Sequence, residues 1–258
     1  MSENRKFSVL MSVYVKENPV FLEEAVESII HQTLKPSEVV IVEDGPLTPE
    51  LYQVLEKLEA QSSIPIKRCP LEQNRGLGLA LQYGVLQCQY DVIARMDTDD
   101  IAVEDRFEQQ FELMEKENLD LLGGHIAEFI DQPDEIVSYR RVPTKHEDII
   151  VYQRMRSAFN HMTVMFKKEM VLKAGNYEDG LYMEDDLLWL NMISAGARTG
   201  NVDQILCKVR VGAGMFERRG GLRYLKLYRQ ARKRMHARGQ ISYGEYLKSV
   251  LIQVVVAL

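Results

Sequence analysis

EVVIVED, residues 38–44, decides the fold. Four β-branched apolar residues stand in a row between acids. A short unbroken run of this kind suits a parallel strand buried on both faces. Upstream, FSVLMSVY (7–14) is a second apolar run. Between them, residues 19–32 place Phe21, Leu22, Ala25, Ile29 and Ile30 at helical spacing. Pro19 starts that helix and Pro36 closes the connection. Downstream, Thr48 and Pro49 open a helix over 48–60. IKRC (66–69) is a short strand, 77–88 a helix, YDVIARMD (90–97) a strand, 103–117 a helix and LDLLGGHIAEFI (119–130) a strand. This alternation predicts an α/β fold, with a mainly parallel central sheet and helices on both faces. Right-handed crossovers bring the loops after the strands to one edge, where ligands of such sheets bind. Tyr14, Asp44, Asn74 and Asp97 stand at that edge.

The second half is less regular. It predicts helices over 145–157, 167–175 and 183–196, strands over 161–166 and 205–211, and a glycine-rich basic loop over 212–221. A basic helix over 222–238 and an apolar one over 242–257 follow. The division expected is one domain over 1–215 and a helical extension over 216–258.

Composition narrows the class. The chain has 258 residues, 46% hydrophobic and 27% charged, which excludes a disordered, collagenous or disulfide-scaffold protein. Cys69, Cys88 and Cys207 stand far apart without metal-binding spacing, as in a reduced cytoplasmic protein. The N-terminus reads as neither a signal peptide nor a spanning helix. Residues 218–238 hold nine Lys/Arg and no acid, +9 within a chain of −6, so the remainder carries −15. That asymmetry points to an anionic partner for the tail.

Three motifs bear on chemistry. Asp97-Thr98-Asp99-Asp100 crowds three carboxylates at a strand end. Their repulsion is offset where a divalent cation, Mg²⁺ or Mn²⁺, sits among them; the alternative is an acidic helix start. Asn74-Arg75-Gly76-Leu77-Gly78 opens a helix whose free N–H groups could face a ligand. Glu184-Asp185-Asp186 begins another, either complementing its dipole or supplying a general base. No GxGxxG follows the first strand and no GxxxxGK[ST] occurs, so dinucleotide and P-loop folds lack support.

Together these residues carry a resemblance. SVLMSVY, IHQTLKPSEVVIVEDG, NRGLGLALQYG, DTDD and the Glu-Asp pair before LLWLNM resemble, in order, the blocks of family 2 glycosyltransferases. The resemblance covers about residues 6–215. It implies the nucleotide-sugar-binding GT-A fold and an inverting, metal-dependent transfer of a sugar from a nucleoside diphosphate to an acceptor hydroxyl. Ser12, Tyr14, Asp44, Asn74, Arg75, Gly76 and Asp97 then match donor nucleotide positions, with Asp44 accepting the imide N–H of uracil or thymine. A UDP-sugar is the donor expected first and dTDP-rhamnose second. Asp99 matches the metal ligand, with Asp100 a second candidate. Asp185 matches the catalytic base and Glu184 the acid beside it. Arg218 and Arg219 would close over the diphosphate. Trp189 matches a packing aromatic and His161 an acceptor-side histidine. The sequence departs from the pattern at Glu43 (a frequent aspartate), Pro46 (a frequent serine) and Asn191 (a frequent arginine).

The resemblance implies a glycan or lipid-linked acceptor in bacterial cell-surface polysaccharide synthesis. The basic and apolar tail, 218–258, suits an anionic membrane surface on the inner face of the plasma membrane. A packed or homodimer-forming apolar face is the alternative, and nucleic acid lacks any groove-reading motif. A metal-dependent nucleotidyltransferase and a catalytically silent module on the same fold are the competing functions.

Overall fold

The structure is a computed structural model that describes residues 5–179, 182–212 and 221–257, with the side chains of 256 and 257 left aside. Its first half alternates as the sequence predicts: β1 (Phe7–Val13), α1 (Pro19–Ile30), β2 (Glu38–Glu43), α2 (Pro49–Gln61), β3 (Ile66–Pro70), α3 (Leu77–Gln87) and β4 (Val92–Arg95). There follow β5 (Ile101–Ala102), α4 (Arg106–Glu117), β6 (Leu121–Phe129), β7 (Ile136–Arg140), α5 (His146–Gln153), a 3₁₀ turn (His161–Thr163), β8 (Met165–Lys167), α6 (Lys168–Lys173), α7 (Glu184–Ser194) and β9 (Thr199–Arg210). Two C-terminal helices close the chain, α8 (Gly221–Ala237) and α9 (Tyr243–Ala257).

Among the described residues nine strands form one sheet, ordered β3-β2-β1-β4-β8-β6-β9-β5, with β7 beside β6. The first four are parallel, in the register Val9↔Val39, Val9↔Ala94 and Val39↔Ile66. β8 joins β4 to β6 and is antiparallel to both. β6 and β9 run parallel, and β5 and β7 are antiparallel additions.

Period-two alternation explains why the central strands are apolar throughout. Val9, Met11, Val39 and Ile41 pack on one face with Leu22, Val26 and Ile29 of α1, Leu51 and Leu55 of α2, and Phe107 and Phe111 of α4. Leu10, Val40 and Val42 face the other way, against Ala80, Leu81 and Val85 of α3 and the layer holding Trp189 and Met192 of α7. Each such buried side chain contributes about 1.5–3 kcal/mol. Helix starts are set locally. Asn18 Oδ1 accepts the N–H of Val20 at 2.9 Å, and Thr48 Oγ1 that of Leu51 at 3.3 Å.

Several boundaries differ from the sequence expectation. The strand expected over 161–166 is a 3₁₀ turn followed by β8, and the helix expected from 103 begins at Arg106. Ile101 and Ala102 are drawn instead into pairing with Lys208 and Cys207. β9 starts at Thr199, six residues before the expected 205, because pairing with β6 recruits the polar TGNVDQ segment. The boundary expected at 215/216 lies outside the described residues.

The C-terminal hairpin packs on α7. Ala231 and Met235 of α8, with Ile241, meet Met183, Leu187 and Leu190. Arg232 is buried, donating from Nε to Ser249 Oγ at 3.0 Å and from Nη2 to the carbonyl of Arg154. Arg234 and Arg238 pair with Glu178. Ser242 and Glu245 cap α9 reciprocally, each accepting the other's backbone N–H. Three of the tail's cations are therefore structural.

Candidate active site

The carboxyl ends of β1, β2 and β4 build one wall of the site. Ser12 and Tyr14 are half-buried at the end of β1. Asp44 is buried just beyond β2. Its Oδ1 accepts the backbone N–H of Arg75 at 2.7 Å and its Oδ2 that of Gly76 at 3.0 Å. Asn74 Nδ2 donates to the Asp44 carbonyl at 3.1 Å. Two of the N–H groups expected to be free for a ligand, those of Arg75 and Gly76, thus bind Asp44 and weld the two loops together. The weld requires Gly45, at φ +85°, because a Cβ there would stand 2.6 Å from the backbone nitrogen of Asn74.

Asp97, Asp99 and Asp100 follow β4, and one carboxylate oxygen from each lies within 4.8 Å of the others. Asp97 is ion-paired to Arg95, which is 1% exposed. Asp100 is buried and accepts the N–H of Arg210 at 3.0 Å. Burial, with Asp99 and Asp97 alongside, holds its carboxyl well above the usual range. Crowded hard oxygens with too little countercharge fit a divalent cation.

The other wall is the start of α7. Gly78 lets α3 approach it, since a Cβ there would stand 2.5 Å from the carbonyl oxygen of Glu178 and 3.0 Å from Cβ of Glu184. Asp185 Oδ1 accepts the N–H of Asp186 at 2.8 Å. Burial, then Asp186 and Glu184, pushes its carboxyl up to about 7. Burial raises Glu184 as well. Asp186 differs from both. It is buried and accepts from Gln153 Nε2 at 2.8 Å, while Gln153 Oε1 takes the N–H of Ala158. Asp186 therefore anchors α7 to α5 and leaves Glu184 and Asp185 as the site-facing pair.

Arg95 acts electrostatically on both acid groups. Its charge lowers Asp100 in one group and Glu184 and Asp185 in the other, and Asp97 acts on Glu184. Sequence reasoning missed this residue. It also missed Arg106, fully buried, whose Nη2 donates to the Arg95 carbonyl at 2.7 Å. A signal existed for Arg95. It shares a strand face with Ile93, a core position where only a paired charge is tolerated.

His161 is half-buried, 2.9 Å from the Tyr177 hydroxyl at Nε2 and edge-on to Trp189 at 5.8 Å. Burial, then Arg95, lowers its pKa well below the usual range. The neutral ring and its tyrosine partner form part of the aromatic layer behind α7, with Phe159 5.7 Å from Trp189. Arg218 and Arg219 lie outside the described residues.

A nine-stranded α/β sheet with acids at its parallel strand ends and a helical C-terminal pair has the architecture of the GT-A fold. The model of glycosyl transferase family 2 matches residues 8–173, and the chain belongs to that family. It is similar to the amylovoran biosynthesis glycosyltransferase AmsE of Erwinia amylovora, 42% identical over 85% of this chain and 82% of the relative. It is also similar to the Escherichia coli UDP-Gal:alpha-D-GlcNAc-diphosphoundecaprenol beta-1,3-galactosyltransferase, 35% identical over 98% of this chain and 91% of that one. Among solved structures, the mannosyltransferase PcManGT from Pyrobaculum calidifontis, in complex with GDP-Man and Mn²⁺, shares the fold. It has a TM-score of 0.68 and 15% identity, over 97% of this chain and 69% of that one. The chain is a glycosyltransferase, which decides against the nucleotidyltransferase and the silent module.

Proposed function

We propose that the protein transfers a sugar from a UDP-sugar, or next from dTDP-rhamnose, to a hydroxyl of a glycan or lipid-linked acceptor in cell-surface polysaccharide synthesis, with inversion. The observation that carries the reading is the pair of acid groups on which Arg95 acts, with the Asp185 carboxyl at about 7, where a general base works best near neutral pH. The donor class and the acceptor draw support from the relatives, one of which takes UDP-Gal and acts on a diphosphoundecaprenol-linked sugar.

Asp185 takes the proton of the acceptor hydroxyl. The oxygen then bonds to the anomeric carbon from the face opposite the diphosphate. The bond from that carbon to the phosphate oxygen breaks, and the leaving diphosphate keeps the electron pair. Asp44 orients the base. Each of its oxygens already accepts one N–H, and a carboxylate has about four acceptor sites, so room remains for an imide N–H. Ser12, Tyr14, Asn74, Arg75, Gly76 and Asp97 complete the nucleotide wall, and Arg218 and Arg219 are assigned to the diphosphate. Asp99 would hold the divalent cation, with Asp100, whose Oδ1 accepts the Arg210 N–H, as the second candidate ligand. When bound there, Mn²⁺ or Mg²⁺ would supply positive charge against the departing diphosphate. His161 is assigned to the acceptor side by the family resemblance alone, its Nε2 being bonded to the buried Tyr177 hydroxyl. The cytoplasmic side of the membrane is where the nucleotide donor would be met.

The test is Asp185→Asn. Transfer should fall about 10²–10⁴-fold, the usual contribution of a general base, while the donor dissociation constant stays within twofold. Transfer at the wild-type rate would remove Asp185 from the role.

A further inference from the structure

The α8–α9 hairpin presents two adjoining faces that no described residue covers. On α8, positions 222, 223, 226, 229, 230, 233 and 237 are exposed and fall on one arc of the helix. Arg223, Lys226, Arg229 and Lys233 lie there, and none has an ion pair among the described residues. On α9, Tyr243, Leu247, Leu251 and Val255 recur at intervals of four, with Ile252 beside them. They are 42–79% exposed. Lys248 is exposed on the same side. Glu245 is the only acid from 221 to 257, and it is occupied by the Ser242 cap and Arg154. Monomers rarely leave an apolar stripe uncovered beside a basic face.

We propose that this hairpin docks the enzyme in the plane of an anionic bilayer, with the α9 stripe among the acyl chains and the α8 cations at lipid phosphates. The basic face selects this occupant. A twofold contact between copies would set one uncompensated row of cations close to the other. Among the described residues no helix is long and apolar enough to cross a membrane. Fifteen residues of α9 reach about 22 Å, short of a hydrocarbon core of about 30 Å. The inference rests on the lipid-linked acceptor proposed above, for which docking has a purpose. The hairpin is packed on α7 through Met183, Leu187 and Leu190, so the helix that begins with Glu184 and Asp185 is carried to the headgroup layer with it.

Flotation of the full chain with phosphatidylcholine vesicles, with and without 30% phosphatidylglycerol, tests this. Binding should need the anionic lipid and weaken with salt. Lys226→Gln with Arg229→Gln should lower partitioning about 25-fold, roughly fivefold per cation. Leu251→Ser with Val255→Ser should release the protein from vesicles at every salt concentration. These side chains are exposed, so both variants should melt as wild type does. Equal recovery of wild type with and without vesicles overturns the proposal. So does a wild-type dimer that Leu251→Ser with Val255→Ser converts to monomer without any vesicle binding. Transfer to a water-soluble acceptor separates the two readings. Normal transfer without flotation rejects docking alone, and flotation without transfer to any acceptor rejects the proposed function alone.

Discussion

Arg95 shows how far a single residue governs this site. Its guanidinium is buried, is paired with Asp97, and leaves Nε and Nη1 without a hydrogen-bond partner among the described residues. Replacing it with methionine strands Asp97 beside Asp99 and Asp100. Breaking a buried pair costs about 3–5 kcal/mol. Adding Asp97→Asn should therefore return part of that loss, a coupling above 1 kcal/mol by urea denaturation. Purely additive effects would show that the pair is not coupled. Asp185 makes a second prediction. Its folded-state pKa of about 7 lies above the ordinary carboxylate value, so the native state holds a proton that the unfolded chain has released. Stability from this group is full below about pH 4 and declines as pH rises toward 7. Asp185→Asn should then melt higher than wild type at pH 8, by about 2–4 °C if the partly exposed group contributes about 1 kcal/mol, with the gap narrowing through pH 7 to 5 and closing below about pH 4. Wild-type transfer should rise with pH through about 7 on the same ionisation. The acids were legible in the sequence because parallel topology fixes where strand ends go. Arg95 was legible only through the strand face it shares with Ile93, and Arg106 was not, because an arginine at a helix start looks like surface until its neighbours in the fold are known.

At the scale of elements, the site depends on contacts between a strand end and a helix start. Asp44 ties β2 to the turn before α3, and Gly45 allows the approach. Gly45→Ala would force a Cβ against the Asn74 backbone and strain a positive φ. Donor affinity should fall by at least tenfold in calorimetry, while the pH dependence set by Asp185 stays in place. Unchanged affinity would mean that the wall does not form the nucleotide site. Strands β1, β2 and β4 were readable from sequence because both of their faces are apolar. β7, IVSYR, was not, because three of its residues are exposed and nothing marks it before β6 is placed. β5 is two residues long, below any periodicity. The contact between Asp44 and residues 75–76 was also hidden, since it joins loops whose relation only the folded sheet defines.

The whole molecule should respond to its ligands through linkage. A UDP-sugar at about 100 times its dissociation constant adds about 2.7 kcal/mol, and each kcal/mol moves the melting midpoint of a chain this size by about 2–4 °C. The shift should shrink on chelation with EDTA and return with Mn²⁺. A shift indifferent to EDTA would detach the three aspartates from donor binding. Net charge and helical tail were plain in the sequence. The use of Arg232, Arg234 and Arg238 as internal fastenings was not, because a run of like charges does not say which members find partners. The placement of β8 carries a consequence for the chain while it is being made. β4 receives its outer neighbour only from residues 164–167, through the N–H of Arg95 donating to the Val164 carbonyl and the pairing of 92–94 with 165–167. A ribosome adding about 5–20 residues each second takes roughly 4–14 s to cross the seventy or so residues between. For that interval the nascent protein exposes a bare sheet edge with Asp97, Asp99 and Asp100 at its tip, and it is then that a chaperone would have the most to shield.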